Sequence, residues 1–125
     1  MTKEQEQVRE WMLKADQDCP VKPKLPEESV AKLRYHLIQE ELDEFDEADN
    51  KEEIVEVADA LADLMYVVLG TAVAYGIDLE PLFQEVHRSN MSKFIDGHRR
   101  EDGKWIKGPS YSPANLQPII EAQSK

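Results

Sequence analysis

EELDEFDEADNKEEIVEVADALADLMYVVLGTAVAYG, Glu40–Gly76, is the stretch on which the fold turns. Its first two thirds are acid: twelve carboxylates lie between Glu40 and Asp63, with Lys51 the only cation among them. Its last third is apolar on nearly every side of a helix, through Val67, Gly70, Thr71 and Ala74. A helix apolar all round has to be buried all round. Gly76 then stands where a helix-ending C′ glycine is wanted. The apolar run from Val57 to Tyr75 is long, but Asp59 and Asp63 interrupt it, which argues against a transmembrane span.

Working outward, Val30, Leu33, Leu37, Ile38, Leu42 and Phe45 give a helix over about Glu27–Ala48 a wide apolar face. Asn50 and Glu53 have capping-box spacing and open the next helix at about Lys51. Upstream, Pro20, Pro23 and Pro26 impose an extended linker. Before it a helix over Thr2–Asp16 is capped by Thr2 with Gln5 and packs through Val8, Trp11, Met12 and Ala15. Downstream, Asp78 caps a fourth helix with Leu79, Leu82, Phe83, Val86 and Asn90 along one face. After Lys93 the periodicity fails. Asp102-Gly103 closes a small hairpin between Arg99–Glu101 and Lys104–Ile106, and Gly108, Pro109, Pro113 and Pro118 make the rest an irregular arm. The expectation is one all-α domain over residues 1–125: an N-terminal helix in 1–19, the catalytic helices in 27–93 and the arm in 94–125. Four helices can hardly cover the apolar third one, so an oligomer, at least a dimer, is expected.

Composition narrows the function classes. The net charge is -11, from 26 Asp and Glu against 15 Lys and Arg. No general basic surface for nucleic acid or for anionic lipid follows from that balance. Cys19 stands alone, so an intrachain disulfide is excluded. The N-terminus MTKEQEQVRE is polar from its first residue and lacks a signal-peptide pattern, so a cytoplasmic location is expected. The segment after Ser92 is weakly basic, through Lys93, Arg99, Arg100, Lys104 and Lys107.

At about 100° per residue, Glu41 and Glu44 project with Val30, Leu33 and Leu37, on the inward side of their helix. Asp43, Asp46 and Glu47 point away, as solvated acids should. On the next helix Glu56, Asp59 and Asp63 share one narrow face. Uncompensated carboxylates in a helix interface cost several kcal/mol each, so they need cations or protons. Either they pair with Arg34, which also points inward, or they hold a divalent metal through oxygen ligands alone, as Mg²⁺ or Mn²⁺ prefers. One arginine cannot neutralise five or six acids. The Glu-x-x-His pairs of a di-iron bundle, a zinc-spaced Cys/His set, an EF-hand loop, a Walker loop and G-x-S-x-G are all missing. His36, His87 and His98 read as surface or packing residues.

The paired acid patterns, with VHRSNMSK (Val86–Lys93) and KGPSYSP (Lys107–Pro113), resemble the all-alpha nucleoside triphosphate pyrophosphohydrolases. Those include MazG-like proteins, dimeric dUTPases, dCTP pyrophosphatases and phosphoribosyl-ATP pyrophosphohydrolases. The resemblance covers roughly Leu33–Leu116 and implies a four-helix MazG-like bundle that splits a nucleoside triphosphate into a monophosphate and pyrophosphate. It implies two or three Mg²⁺ per site, with Mn²⁺ as a substitute. Carried over by position, Glu41 and Glu44 become metal ligands, and Glu40 a ligand or the base that orients the attacking water. On the next helix the family's Glu-x-x-Asp places its Asp on Asp63 and its Glu on Ala60, a departure. Either Asp59 substitutes, the preferred register with Glu56 supporting from behind, or Glu56 and Asp59 form the pair.

Lys93, Arg99 or Arg100, Lys104 and Lys107 could neutralise the remaining β and γ phosphate charge, and the resemblance favours Lys93 and Lys107. Trp11, Trp105 and Tyr111 are the rings that could stack on a base, although Trp11 also fits the core of its helix. Asn90 either bonds base or sugar or caps a neighbouring helix. Where the family often has Phe-His this chain has Trp11-Met12, so the base stays open. Two rivals stand beside this reading: a phosphoribosyl-ATP pyrophosphohydrolase on the same fold, and a non-enzymatic acidic binder such as a DNA mimic or antitoxin-like partner. A mimic needs its carboxylates outward, which Glu41 and Glu44 do not satisfy. The expected partners are a nucleoside triphosphate and further copies of the chain, with neither nucleic acid nor membrane.

Overall fold

The computed structural model describes residues 1–125, which pack as two compact units, Met1–Asp78 and Leu79–Lys125. The first holds α1 (Lys3–Lys14), α2 (Glu28–Asn50) and α3 (Ile54–Ala74). The second holds α4 (Leu79–Met91), one 3₁₀ turn (Ser92–Phe94), strands β1 (His98–Arg99) and β2 (Trp105–Ile106), and α5 (Gln117–Gln123). The protein is all-α apart from that two-stranded ribbon.

In the first unit α2 and α3 form an antiparallel hairpin. Arg34 lies against Val67 and Thr71, and Glu41 and Glu44 against Asp63. α1 packs onto α3, and the core is Val8, Met12, Val73 and Ala74, flanked by Cys19, Val30, Leu69 and Tyr75. Thr2 caps α1 as expected, accepting from the Gln5 N–H at 3.1 Å. The Gln5 amide is buried and donates to Ile77 O at 2.7 Å, tying α1 to the end of α3.

Several expectations need correction. Val8 and Met12 are 2% exposed but Trp11 is 55% exposed, so Trp11 is not core. Leu33 and Leu42 of α2 are also half exposed, while Arg34 and Ala48 are buried. The buried line of α2 is thus rotated from the expected one and carries Glu41 rather than Leu42. Asn50 does not open α3. It ends α2, and Glu53 precedes Ile54 as an N-cap without a side-chain bond. Within one chain α3 buries Ala60, Gly70, Ala72, Val73 and Ala74 and half-buries Leu64, Val67 and Leu69, leaving Leu61, Met65, Tyr66 and Val68 exposed. By length and composition alone α3 could cross a membrane, but its small residues are packed against α1 and α2.

All three long helices of this unit end in the same way, and two of them do so without glycine. Asp16 at φ 57° and Glu52 at φ 55° take the left-handed C′ position that Gly76 holds at φ 68°. At each end the next N–H reaches back five residues: Gln17 to Met12 O, Glu53 to Ala48 O, Ile77 to Ala72 O. These are Schellman closures, which satisfy otherwise orphaned carbonyls. Gly76 is demanded twice, since a Cβ there would sit 2.1 Å from Lys22 O. The Pro20–Pro26 connector therefore runs directly beneath the end of α3, with Lys24 N donating to Tyr75 O at 2.9 Å.

In the second unit β1 pairs antiparallel with β2, His98 opposite Ile106 and Arg99 opposite Trp105, around a turn with Gly103 at φ 91°. The strands are shorter than expected. On α4, Leu82 and Ser89 are buried, while Phe83, Val86 and Asn90 are exposed, so Asn90 does not share a core face. The arm is not wholly irregular: Pro118 sits in the first turn of α5, where its missing N–H breaks no helical bond. The two quoted motifs fold onto each other. Arg88 donates to Glu85, Ser112 Oγ and Pro113 O, Ser89 Oγ donates to Tyr111 Oη, and Ser112 N donates to Ser92 Oγ.

A left-handed non-glycine residue costs about 1–2 kcal/mol, of which glycine returns roughly 0.5–1 as lost backbone entropy. Glu52→Gly is therefore expected to raise stability by about 0.5–1 kcal/mol in urea unfolding, and Gly76→Ala to lower it by more than that. Equal midpoints for the parent and both variants would contradict the closure geometry.

Candidate functional site

The α2–α3 hairpin brings three of the sequence-selected acids together. One carboxylate oxygen from each of Glu41, Glu44 and Asp63 lies within 4.8 Å of the other two. Glu41 Oε2 is buried and has no hydrogen-bond partner. Loss of hydration pushes the Glu41 carboxyl up to about 7, a hydrogen bond of its protonated form with Glu44 adds to the rise, and Glu44, Asp63 and Glu40 add their repulsion. Asp63 is half-buried, and Glu44 is exposed at the rim.

Arg34 does not relieve this repulsion. Its guanidinium is 6% exposed and donates to Val67 O at 3.0 Å and Thr71 Oγ1 at 3.3 Å, and no carboxylate pairs with it. Desolvation lowers its pKa, with no acid nearby to raise it. Gly70 makes this placement possible, because a Cβ there would lie 2.3 Å from Arg34 Nη2. The expected alternative of an Arg34 salt-bridge cluster is therefore excluded by geometry. The trio presents oxygen donors alone, with net negative charge, a buried lone pair and no His or Cys. That donor set fits a hard divalent cation such as Mg²⁺ or Mn²⁺ and does not fit zinc.

The remaining acids lie around this trio. Asp59 and Glu56 fall outside it and line a shallow acidic recess with Glu44, Glu47 and Lys51. Glu56 shares a hydrogen bond with Glu53, which raises its pKa. Glu40 is exposed beside Glu41. On the other side of the trio a cleft of about 430 Å³ is lined by Glu41, Asp63, Arg34, Trp11, Tyr66 and Gln17, with apolar neighbours from α1, α2 and α3. Its volume and mixed lining are those of a small-molecule site. Tyr66 and Gln17 were not singled out in the sequence. The i+3 step from Asp63 to Tyr66 would have put both on one face; nothing in the pattern marks Gln17.

In the second unit the sequence-selected cations and rings gather on the motif pair. Lys107 Nζ lies 4.9 Å from the Tyr111 ring centre and Lys93 Nζ 6.0 Å. Trp105 donates its indole N–H to Lys93 O at 3.0 Å and packs its ring on Phe94 at 4.9 Å. Arg100 pairs with Asp102, and Arg99 and Asn90 are exposed. Arg88 and the N–H of Asn115 hold Glu85 down at about 2, so Glu85 stays ionised as an anchor of the arm.

Residues 8–90 match the family model described as Phosphoribosyl-ATP pyrophosphohydrolase. That span contains the trio and all of the cleft lining. The chain is also similar to an uncharacterized protein, L479, of Acanthamoeba polyphaga mimivirus, 43% identical over 51 residues. The similarity covers 41% of this chain and 20% of that relative, so only a small share of the relative's length is matched.

The raised Glu41 carboxyl makes metal-free stability pH-dependent. An unfolded glutamate titrates near 4.5 and the folded Glu41 near 7, so the folded chain holds an extra proton between those values. Stability from this group is complete below about 4.5 and is lost as pH rises through about 7. Glu85, with its lowered value, acts only below that window. In EDTA the urea midpoint should fall from pH 5 to pH 8, and fall less in Glu41→Gln. An identical slope in that variant would contradict the burial of Glu41.

Proposed function

We propose that this chain, which belongs to the phosphoribosyl-ATP pyrophosphohydrolase family and so to the MazG-like all-α NTP pyrophosphohydrolases, hydrolyses a nucleoside triphosphate between the α and β phosphates. The products are a nucleoside monophosphate and pyrophosphate, a reaction suited to control of the nucleotide pool. The observation that carries the proposal is the unpartnered, buried Glu41 Oε2 inside a trio of acids whose nearest arginine is engaged elsewhere.

Glu41, Glu44 and Asp63 would hold Mg²⁺ or Mn²⁺, and Asp59, with Glu56 behind it, would serve a second cation. Bound there, the cation supplies Lewis acidity toward phosphate oxygens and lowers the pKa of its water. Without it the acids would repel a triphosphate. The chain's own contribution is position. Glu40, exposed beside Glu41, orients the attacking water and accepts its proton. The nucleoside enters the cleft between Trp11 and Tyr66. In the second unit Lys93, Lys107 and Arg99 or Arg100 are cations suited to the outer phosphates of such a substrate, and Asn90, Trp105 and Tyr111 are groups suited to sugar or base. No covalent nucleophile is needed.

The family model's own description favours a second reading on the same site, with phosphoribosyl-ATP as the substrate. Both readings cut the same kind of bond. An acidic binder is disfavoured because Glu41 is turned into the hairpin. Phosphorus NMR on a panel of nucleoside triphosphates and phosphoribosyl-ATP with Mg²⁺ separates them. Monophosphate plus pyrophosphate is the expected product pair; inorganic phosphate plus a diphosphate would contradict the reading. Glu41→Gln should lower turnover by at least about 10²-fold while the protein stays folded, since the change also removes a buried repulsion. Full activity in that variant, or its unfolding, would count against the site.

The reading includes an oligomer. Leu61, Met65, Val68 and the exposed start of α3, Ile54 and Val55, form more apolar surface than a chain this small leaves in water. A second copy of the chain is the cover, as a dimer or a tetramer. Light scattering at micromolar concentration should give at least twice the 14.4 kDa chain mass; a monomer would contradict it.

A further inference from the structure

Arg34 is a buried charge that the carboxylate trio does not use. The residue is 6% exposed, and no acid lies close enough to pair with it or to raise its pKa. A cation withdrawn from water without a counter-charge is costly, so its presence in a helix interface needs a reason. The bonds to α3 do not supply one. Nε donates to Thr71 Oγ1 and Nη2 to Val67 O, but the Thr71 hydroxyl itself donates to Val67 O at 2.8 Å. An apolar side chain at position 34 would therefore leave no acceptor on α3 without a donor.

What the two bonds do is aim the fork. They hold the guanidinium against α3 and leave Nη1, with its two N–H groups, lacking an acceptor from the chain. The fully enclosed side-chain atoms without partners are Gln17 Oε1 and Glu41 Oε2. Nη1 is not among them, so it keeps an opening, and Arg34 meets open space in the cleft it lines. Gln17 Oε1 belongs to the same wall and is not its acceptor.

Seven residues of α2, about 10 Å along the axis, separate Arg34 from Glu41. With phosphates bridged to the trio, that distance places the nucleoside end of the substrate beside Arg34. The wall there is Trp11, Leu33, Leu37, Tyr66 and Val67, rings and aliphatic chains that suit the faces of a base and offer nothing to a phosphate. A cationic N–H donor at the edge of such a slot is matched by an oxygen in the plane of the base.

We infer that Arg34 is a specificity-determining residue whose free Nη1 donates to a carbonyl oxygen of the nucleobase. This role rests on the pyrophosphohydrolase reading for the identity of the ligand, and it adds the group that discriminates among bases. Guanine, cytosine and thymine each carry a carbonyl oxygen, whereas adenine carries an amino group and none. Adenine is thus the base that the site rejects, because two donors would face each other.

The test compares the parent with Arg34→Met, which keeps the length and loses charge and donors, and with Arg34→Lys, which keeps the charge and loses the fork. Two measurements are made with Mg²⁺: kcat and KM for dATP, dCTP, dGTP and dTTP, and calorimetric binding of the four monophosphates and of pyrophosphate. In the parent, dATP and dAMP should fall behind the best carbonyl-bearing base by about 10-fold or more. In Arg34→Met that gap should close to within about 3-fold, mostly through a higher KM for the carbonyl-bearing bases, while pyrophosphate binding is unchanged. Arg34→Lys should keep only part of the gap. The melting temperature of Arg34→Met should not fall, because an uncompensated charge is removed and no α3 group loses its only donor. Adenine accepted by the parent as well as the other bases, a gap unchanged in Arg34→Met, or a clear fall in its melting temperature would each overturn the role. Equal loss on all four bases together with loss of pyrophosphate binding would place Arg34 on the phosphates and overturn it too. If the parent cleaves none of the four, the reaction proposed above fails, and monophosphate binding alone then decides. Discrimination against dAMP that disappears in Arg34→Met supports the role, and equal or undetectable binding of all four overturns it.

Discussion

A carboxylate buried in a helix hairpin without a protein cation is the constraint on which the rest of the structure depends. Glu41 faces α3, and Glu44 and Asp63 crowd against it. The one arginine on that face lies about two turns away along α2 and is held there by Gly70, Thr71 and Val67. Burying like charges together is unfavourable unless an external cation or a proton intervenes. The hairpin accepts this cost where a fold selected for stability alone would place Leu or Ala. Such a local departure from the rules that the remainder of a fold obeys is characteristic of functional sites.

The frame around the trio keeps it in register. α1 docks on α3 through Val8 and Met12, leaving Trp11 at the mouth of the cleft. The proline connector is fixed beneath α3 because Gly76 has no side chain. Three Schellman closures end the helices at fixed residues, and the first of them delivers Gln17 to the cleft wall. In the second unit Arg88, Ser89 and Ser92 fasten the Tyr111–Pro113 stretch to α4, so that Lys93 and Lys107 share one aromatic ring. The motif residues Arg88 and Ser92 are thereby explained as fasteners of the arm.

Much of this was legible in the chain. The helix periods, the Thr2 cap, the Gly76 stop and the Asp102-Gly103 hairpin all follow from local chemistry, and local chemistry is readable. The turn after α2 was not: Asn50 with Glu53 imitates a capping box, but Glu52 adopts the left-handed conformation and carries α2 two residues further. The rotation of α2 was missed for a related reason. Leu33 and Leu42 look like core residues by hydrophobicity, yet Arg34 and Ala48 are buried because Gly70 and Ala60 on α3 are small. The acids of both helices were selected from their faces, and the resemblance singled out Asp63 among Glu56, Asp59 and Asp63. The outlying positions of Asp59 and Glu56 depend on the angle between two helices, which no spacing encodes. Gln17 had no signal at all, since its place in the cleft wall comes from how α1 ends.

The account stands on a divalent cation completing the carboxylate trio. Titration of Mn²⁺ into the protein, followed by loss of the free-ion electron paramagnetic resonance signal, measures that directly and needs no substrate. At least one saturable Mn²⁺ per chain is expected, displaced by Mg²⁺ and lost in both Glu41→Gln and Asp63→Asn. Absence of saturable binding in the parent, or binding unchanged in the two variants, would contradict it.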